Sequence, residues 1–386
     1  MSEFVVAGNS TYSKRPSNFP ENFPKHILWA EGAEVMAEGG KMFFDTTACL
    51  GAVLLGYLNK EVTNAVDLQL ENGGPLFPLP TLEEDKAAQA ICGLTGWEQV
   101  KFGKNGSDAT EAAVRLARYL ATSDKGKDSY ILTNSYHGFH SDTIGAQPGR
   151  SGGVLPINLI SVFRTHTIDD IMRWLDNSEF APAALLMEPV SPTIQDWNWE
   201  MIKKRCEERG TLLIFDEVLS GFRYGVQGGM GWLRVRPHLA CYGKAMANGY
   251  PLSCIAGPRE LMQHFEKDVF FSGTYMEETF SLAACTATLG QLDAHLYKKL
   301  HAYGHEIMDL FDVNCRHLGI AARAIGHGVR FQLTFKNALL RTRFVAAMCD
   351  LGFLLGRDWF VTKAMIEEVG LEKIEEAFQT SLKGLN

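Results

Sequence analysis

The chain has 386 residues, 46% of them hydrophobic and 21% charged, with a formal net charge of -8. That length exceeds one typical core and predicts two domains, or one large domain with smaller lobes. The acidic balance argues against a nucleic-acid or anionic-membrane binder, since both call for clustered positive charge.

The opening Met1-Ser2-Glu3-Phe4-Val5-Val6 has neither the basic start nor the apolar run of an export signal. The longest apolar stretch, around Cys49 to Leu58, contains glycines and is too short to span a bilayer. The expected location is therefore the cytoplasm. Residues 1–25, rich in Pro, Asn and Ser, read as an irregular arm. Residues 28–45 alternate, with Gly39-Gly40 as a hairpin turn before a strand at Lys41 to Asp45.

From about residue 60 the pattern becomes strand–helix alternation. Glu84 to Leu94 and Asp108 to Thr122 predict helices, the second with Ala112, Ala113, Leu116, Ala117 and Leu120 on one buried face. Continuous apolar runs at Ser129–Thr133, Ala183–Met187, Thr211–Phe215, Leu239–Tyr242 and Ser253–Ala256 predict strands covered on both faces. A helix from Ala283 to Leu300 is expected to end this part. A strand at Val329–Phe335 and helices at Leu340–Leu351 and Leu371–Leu382 follow. The expected division is an N-terminal arm with small-lobe strands over 1–55, a large domain over 56–295 and a small α+β domain over 296–386. The fold class is α/β: a large domain with a mostly parallel mixed sheet flanked by helices, and a small lobe drawn from both chain ends.

The eight cysteines form no C-x-x-C pair and read as small buried hydrophobes. His137 and His140 have ligand-like spacing, but no second cluster completes a shell, so no metal site is expected.

Two strand ends carry the chemistry. Thr211–Phe215 runs into Asp216-Glu217-Val218, and Leu239–Tyr242 runs into Gly243-Lys244. An apolar strand ending in Asp-Glu also occurs in P-loop ATPases, but no Gly-Lys pair here has the glycine and Ser/Thr of that loop. No strand-anchored G-x-G-x-x-G marks a dinucleotide site either. A carboxylate and a lysine converging on one cleft suit pyridoxal phosphate chemistry, with the lysine as Schiff-base former and the aspartate at the pyridine nitrogen. Gly106-Ser107-Asp108 opens a helix, where small residues let backbone N–H groups approach a dianion; N-capping by Ser107 or Asp108 is the plainer reading. Tyr136 ends a strand-like run and offers an aromatic face, although a lone aromatic there is more often core.

In this order the motifs resemble the class III aminotransferase group of fold type I pyridoxal phosphate enzymes, most closely the glutamate-1-semialdehyde 2,1-aminomutase branch. The N-S-G-[ST]-E-A signature appears as Asn105-Gly106-Ser107-Asp108-Ala109, and Y-H-G-H as Tyr136-His137-Gly138-Phe139. F-D-E-V-x-[ST]-G-F-R is matched from Phe215 to Arg223, and P-D-L-x-x-x-G-K-x-x-x-x-G-x-P from Pro237 through Lys244 to Pro251. Gly273-Thr274 matches a G-T string before a long helix. The resemblance implies that Lys244 holds the cofactor and shuttles the proton, and that Asp216 pairs with the ring nitrogen. It further implies Val218 and Tyr136 on the ring faces, and Gly106 and Ser107 on the phosphate. Thr274 is implied to reach the phosphate of the neighbouring subunit, which makes a homodimer with shared active sites. Small-molecule amino donor and carbonyl acceptor are the implied partners.

Relatives read L-S-G-N-P or F-G-G-N-P after the G-T string, whereas this chain has Tyr275-Met276-Glu277-Glu278-Thr279. Glu277 and Glu278 read either as solvated loop acids or, with His137, as substrate-facing groups. In the second reading each acid repels an anionic substrate by ~1 kcal/mol and favours a neutral, polyhydroxylated or cationic one. Leu355 to Phe360 stands where the aminomutase has a longer loop. The expected activity is amino-group transfer from an amino acid to a carbonyl compound. Intramolecular aminomutation, decarboxylation and epimerisation on the same scaffold are the alternatives.

Overall fold

The computed structural model describes residues 4–123, 130–133, 136–140, 143, 153, 162–164, 167–177, 182–194 and 197–385. The N-terminal segment forms strands β1 (Ile27–Glu31), β2 (Glu34–Ala37) and β3 (Met42–Asp45). The central segment forms β4 (Gln99–Gly103), β5 (Ile131–Thr133), β6 (Val162–Arg164), β7 (Ala184–Met187), β8 (Leu212–Glu217), β9 (Leu239–Tyr242) and β10 (Ser253–Gly257). The C-terminal segment adds β11 (Ala322–His327), β12 (Arg330–Phe335), β13 (Phe353–Leu354) and β14 (Trp359–Phe360). Two compact units result: Glu61–Ala294, and a second that joins Met1–Lys60 to His295–Asn386.

The central unit is built on a seven-stranded sheet ordered β4-β10-β9-β8-β7-β5-β6. β9, β8, β7, β5 and β6 are parallel, while β10 is antiparallel to both β9 and β4. β4 therefore points the same way as β9. All four residues of β7 and of β9 are buried, as continuous apolar runs require when helices cover both faces. The helix Gly106–Ser123 presents Ala109, Ala112, Ala113, Leu116 and Ala117 to Ile214, Leu239, Cys241 and Ile255. Four alanines on that face let its backbone lie close to the sheet, which fixes where its N-terminus emerges.

The topology brings seven strand ends to one edge. β4, β5, β6, β7, β8 and β9 all end there, and β10 begins there, with Ser253 opposite Gly103 and Cys254 opposite Tyr242. In an open α/β sheet this carboxyl edge is where ligands bind.

The unit formed from the chain ends holds a four-stranded sheet, β1-β2-β3-β13, and a three-stranded one, β11-β12-β14. Its aromatic core gathers Phe311, Phe335, Phe344, Trp359 and Phe378, with ring centroids 5.2 to 6.1 Å apart. The expected helix from Ala283 to Leu300 is corrected to two, Thr279–Leu289 and Ala294–Leu318. Gly290 caps the first, where a glycine weakens continued helix, and the second starts afresh four residues later.

Candidate active site

The helix Gly106–Ser123 begins one residue after Asn105. Asp108, in its first turn, reaches back so that Oδ2 accepts Lys104 N at 2.8 Å and Asn105 N at 2.7 Å. This is the acidic half of a capping box, and it leaves Ser107 free of capping duty. The Ser107 hydroxyl instead accepts Phe139 N at 3.2 Å and engages the Tyr136 side chain. Tyr136 itself is 51% exposed, and burial of its hydroxyl end pushes its pKa up.

Glycines allow these segments to meet. A Cβ on Gly138, at φ +128°, would lie 2.8 Å from Ser107 Oγ. One on Gly106 would lie 2.7 Å from Val218 Cγ1, and one on Gly243 3.4 Å from the same methyl. Val218 thus touches both the helix start and the residue before Lys244. Gly106, Val218 and Gly243 adjoin one another at the sheet edge, and Ser107 there engages Tyr136.

Asp216 and Glu217 end β8, paired with Cys241 and Tyr242 of β9. Alternation along the strand sends the two carboxylates to opposite faces. Asp216 Oδ2 meets His137 Nδ1 at 2.6 Å, and Oδ1 accepts Val218 N at 3.0 Å. An ionised carboxylate has about four acceptor sites, so two remain for a ligand. His137, expected as a candidate substrate contact, has a side chain 1% exposed and its Nδ1 on Asp216. Thr110 Oγ1 also binds its carbonyl at 2.6 Å. Histidine therefore orients the aspartate rather than facing solvent.

Glu217 is fully buried and accepts Ser220 Oγ, Gly229 N at 2.8 Å and Met230 N at 2.6 Å. Burial raises its carboxyl to about 7, against the lowering effect of these donors and with Asp216 adding to the rise. A carboxyl raised on folding stabilises the fold fully below its unfolded value of 4.5, and this contribution is lost as pH climbs towards about 7. We expect the unaltered protein to lose on the order of 3 kcal/mol between pH 4.5 and 8 relative to Glu217→Gln. Denaturant titrations of both proteins at stepped pH check this; parallel stability curves would refute it.

Lys244 follows Gly243, whose backbone is extended, and opens a single 3-10 turn to Ala247. Its φ is +46°, left-handed for a residue with a side chain. Such conformations cost about 1–3 kcal/mol and cluster at functional positions. The half-buried lysine follows the end of β9, at the same sheet edge as Asp216.

Thr274 lies on an exposed turn in which Met276 N bonds Gly273 O and Glu278 N bonds Tyr275 O. Glu278, expected as a candidate substrate-facing acid, caps the helix Thr279–Leu289 with its carboxylate, accepting Phe280 N at 2.9 Å and Ser281 N at 3.2 Å. Oε1 also meets Lys104 Nζ at 2.7 Å, with the two side chains only 12% and 16% exposed. Burial opposes ionisation of Glu278, but the Lys104 and Ser281 contacts outweigh it and hold its pKa below the usual range. With that charge paired, the argument for repelling anionic substrates loses one of its two acids. Glu277 is partly buried and, after burial itself, helps to raise the Glu84 carboxyl. Asp108 takes the capping part that the sequence offered it, whereas no local pattern signals Lys104.

Comparison with known proteins places this geometry. A family model described as aminotransferase class-III matches residues 18–148 and 174–353. A glutamate-1-semialdehyde 2,1-aminomutase of Methanothrix thermoacetophila is 28% identical over 406 residues, covering 94% of this chain and 91% of that protein. The pyridoxal phosphate form of the FumI protein from a Sphingopyxis species superposes with a TM-score of 0.87 at 24% identity, over 98% of this chain and 93% of that one. An omega-transaminase from Sphaerobacter thermophilus gives 0.86 at 21%, over 99% and 95%. At these identities the two structural likenesses speak for the fold alone. No described helix is long and apolar enough to cross a membrane. The chain belongs to the class-III aminotransferase family, a fold type I group whose cofactor is pyridoxal phosphate.

Proposed function

We propose that the protein is an aminotransferase that moves an amino group from an amino acid donor to a small carbonyl acceptor. The observation that carries the reading is that Asp216, held by His137, and the strained Lys244 stand at the ends of neighbouring strands on one sheet edge. The residues fit the cofactor: the glycines at 106, 138 and 243 let the helix start and the strand ends close on Ser107 and Val218, and Asp216 has acceptor sites to spare.

Bound pyridoxal phosphate supplies an electron-withdrawing ring and an aldehyde carbon that condenses with amines. In this reading Lys244 Nζ would hold the cofactor covalently and, once displaced by the substrate amine, would take and return the proton at the substrate carbon. Asp216 keeps the ring nitrogen protonated, and His137 fixes the aspartate's orientation. Gly106 and Ser107 receive the phosphate at a helix N-terminus, where backbone N–H groups and the dipole favour a dianion. Val218 and Tyr136 would pack against the ring. Thr274 serves the neighbouring subunit's phosphate, so that a homodimer is the working unit.

Aminomutation of the glutamate-1-semialdehyde type is the second reading. It is favoured by the 28% identity to an aminomutase along most of both chains, and by the pairing of Glu278 with Lys104, which reduces the acidic barrier to an anionic substrate. Incubating the loaded protein with single amino acids and no acceptor separates the two. Aminotransfer releases one equivalent of 2-oxo acid per site. Conversion of glutamate-1-semialdehyde into its isomer without release of any oxo acid would overturn aminotransfer in favour of aminomutation.

A further inference from the structure

Lys104 sits at the end of the segment that leads into the phosphate-binding helix, and its backbone is fixed by Asp108. Its Nζ spans to Glu278, which lies 174 residues later in the chain. Glu278 is the last residue of the turn that carries Thr274 and the cap of the helix that follows. Thr279 is fastened next to it, with N on Pro75 O at 2.9 Å and Oγ1 on Gly74 O at 3.1 Å. The base of the turn is thus pinned at two points, while Gly273, Thr274 and Tyr275 above it stay exposed. A rigid base beneath an exposed tip is what a residue needs if it is to serve another chain.

We infer that Lys104 and Glu278 form an ion-pair latch that positions Thr274 for the neighbouring subunit's cofactor phosphate. The inference rests on the proposed placement of Thr274 and assigns both charged residues a positioning role. Neither touches the reacting atoms. Burial pulls the Lys104 pKa down, and its contact with Glu278 opposes that fall. The latch also ties the phosphate-binding segment of one chain to the turn that this chain lends to its partner. Loading of one site and docking of the other subunit are then coupled, and the coupling runs equally in both directions.

Glu278→Gln keeps a side-chain oxygen for the helix cap and removes the charge, so it tests the latch with the cap retained. Its cofactor affinity, measured by dialysis of pyridoxal phosphate against the apo-dimer, is expected to fall by ~10-fold. Lys104→Met should weaken binding equally, the double variant no further, and Lys104→Arg should restore it. Mixed dimers decide whether the effect crosses the interface. A Lys244→Ala subunit paired with a Glu278→Gln subunit retains one intact lysine, served by an intact turn, and should bind there with full affinity. A subunit carrying both changes, paired with an unaltered one, should bind weakly at the unaltered chain's lysine. The reverse pattern, or affinity that tracks the melting temperature in every variant, would overturn the latch. Failure of the unaltered protein to bind the cofactor would instead overturn the functional reading beneath it.

Discussion

Lys244→Ala is expected to fold, to hold no cofactor covalently and to turn over at least ~10³-fold more slowly than the unaltered protein. In the proposed function two roles would leave with one amine: the attachment point, and the base that carries the proton. The backbone gives this variant an internal control for folding. Lys244 has a φ of +46°, and alanine meets the same Cβ strain there as lysine. Glycine does not, so Lys244→Gly should be more stable than Lys244→Ala by about 1 kcal/mol while being equally inactive. Borohydride reduction followed by peptide mass mapping reads the attachment directly. A reduced adduct on any other lysine, or turnover within tenfold of the unaltered protein, would remove Lys244 from the centre of the mechanism.

The parts of the site that lie close together in sequence were legible, and those made by distant chain segments were not. Asp216 and Lys244 each terminate a continuous apolar run, and such runs became β8 and β9 because helices cover both faces of the sheet. Asp216 and Glu217 extend β8 beyond the apolar residues, since they complete the ladder with Cys241 and Tyr242. β4 gave no clear signal: it is a short edge strand carrying Gln99 and Lys101, and only pairing with β10 holds it in the sheet. Pairings across 79 residues, for His137 with Asp216, and 174, for Lys104 with Glu278, leave no local pattern at all. They depend on topology, which charge spacing does not encode. The same holds for the left-handed turn at Ala48-Cys49-Leu50, three non-glycine residues with positive φ. Asp45 fastens it, accepting Thr47 N and Cys49 N, and nothing in that apolar stretch announces the conformation.

Asp216→Asn is expected to keep most of its cofactor affinity and to lose at least ~10²-fold in turnover. Affinity survives because Lys244 and the helix start at Gly106 hold the other ends of the molecule. Turnover falls because a neutral amide cannot stabilise a protonated ring nitrogen, and an unprotonated ring withdraws electrons poorly. The hydrogen bonds sharpen the expectation. In the unaltered protein the two carboxylate oxygens meet His137 Nδ1 at 2.6 Å and Val218 N at 3.0 Å. Asparagine has one oxygen for these two partners, and its amide nitrogen must face the other. With the oxygen kept on Val218 N, the amide opposes His137 and forces that ring to accept instead of donate. His137→Ala leaves the carboxylate charge in place and removes only its orientation, so it should lose less turnover than Asp216→Asn. Steady-state rates for the two variants, with cofactor content measured on the same samples, separate charge from orientation. Equal losses would mean that orientation accounts for the whole effect, and an Asp216→Asn protein with near-normal turnover would show this carboxylate to be a structural strand end.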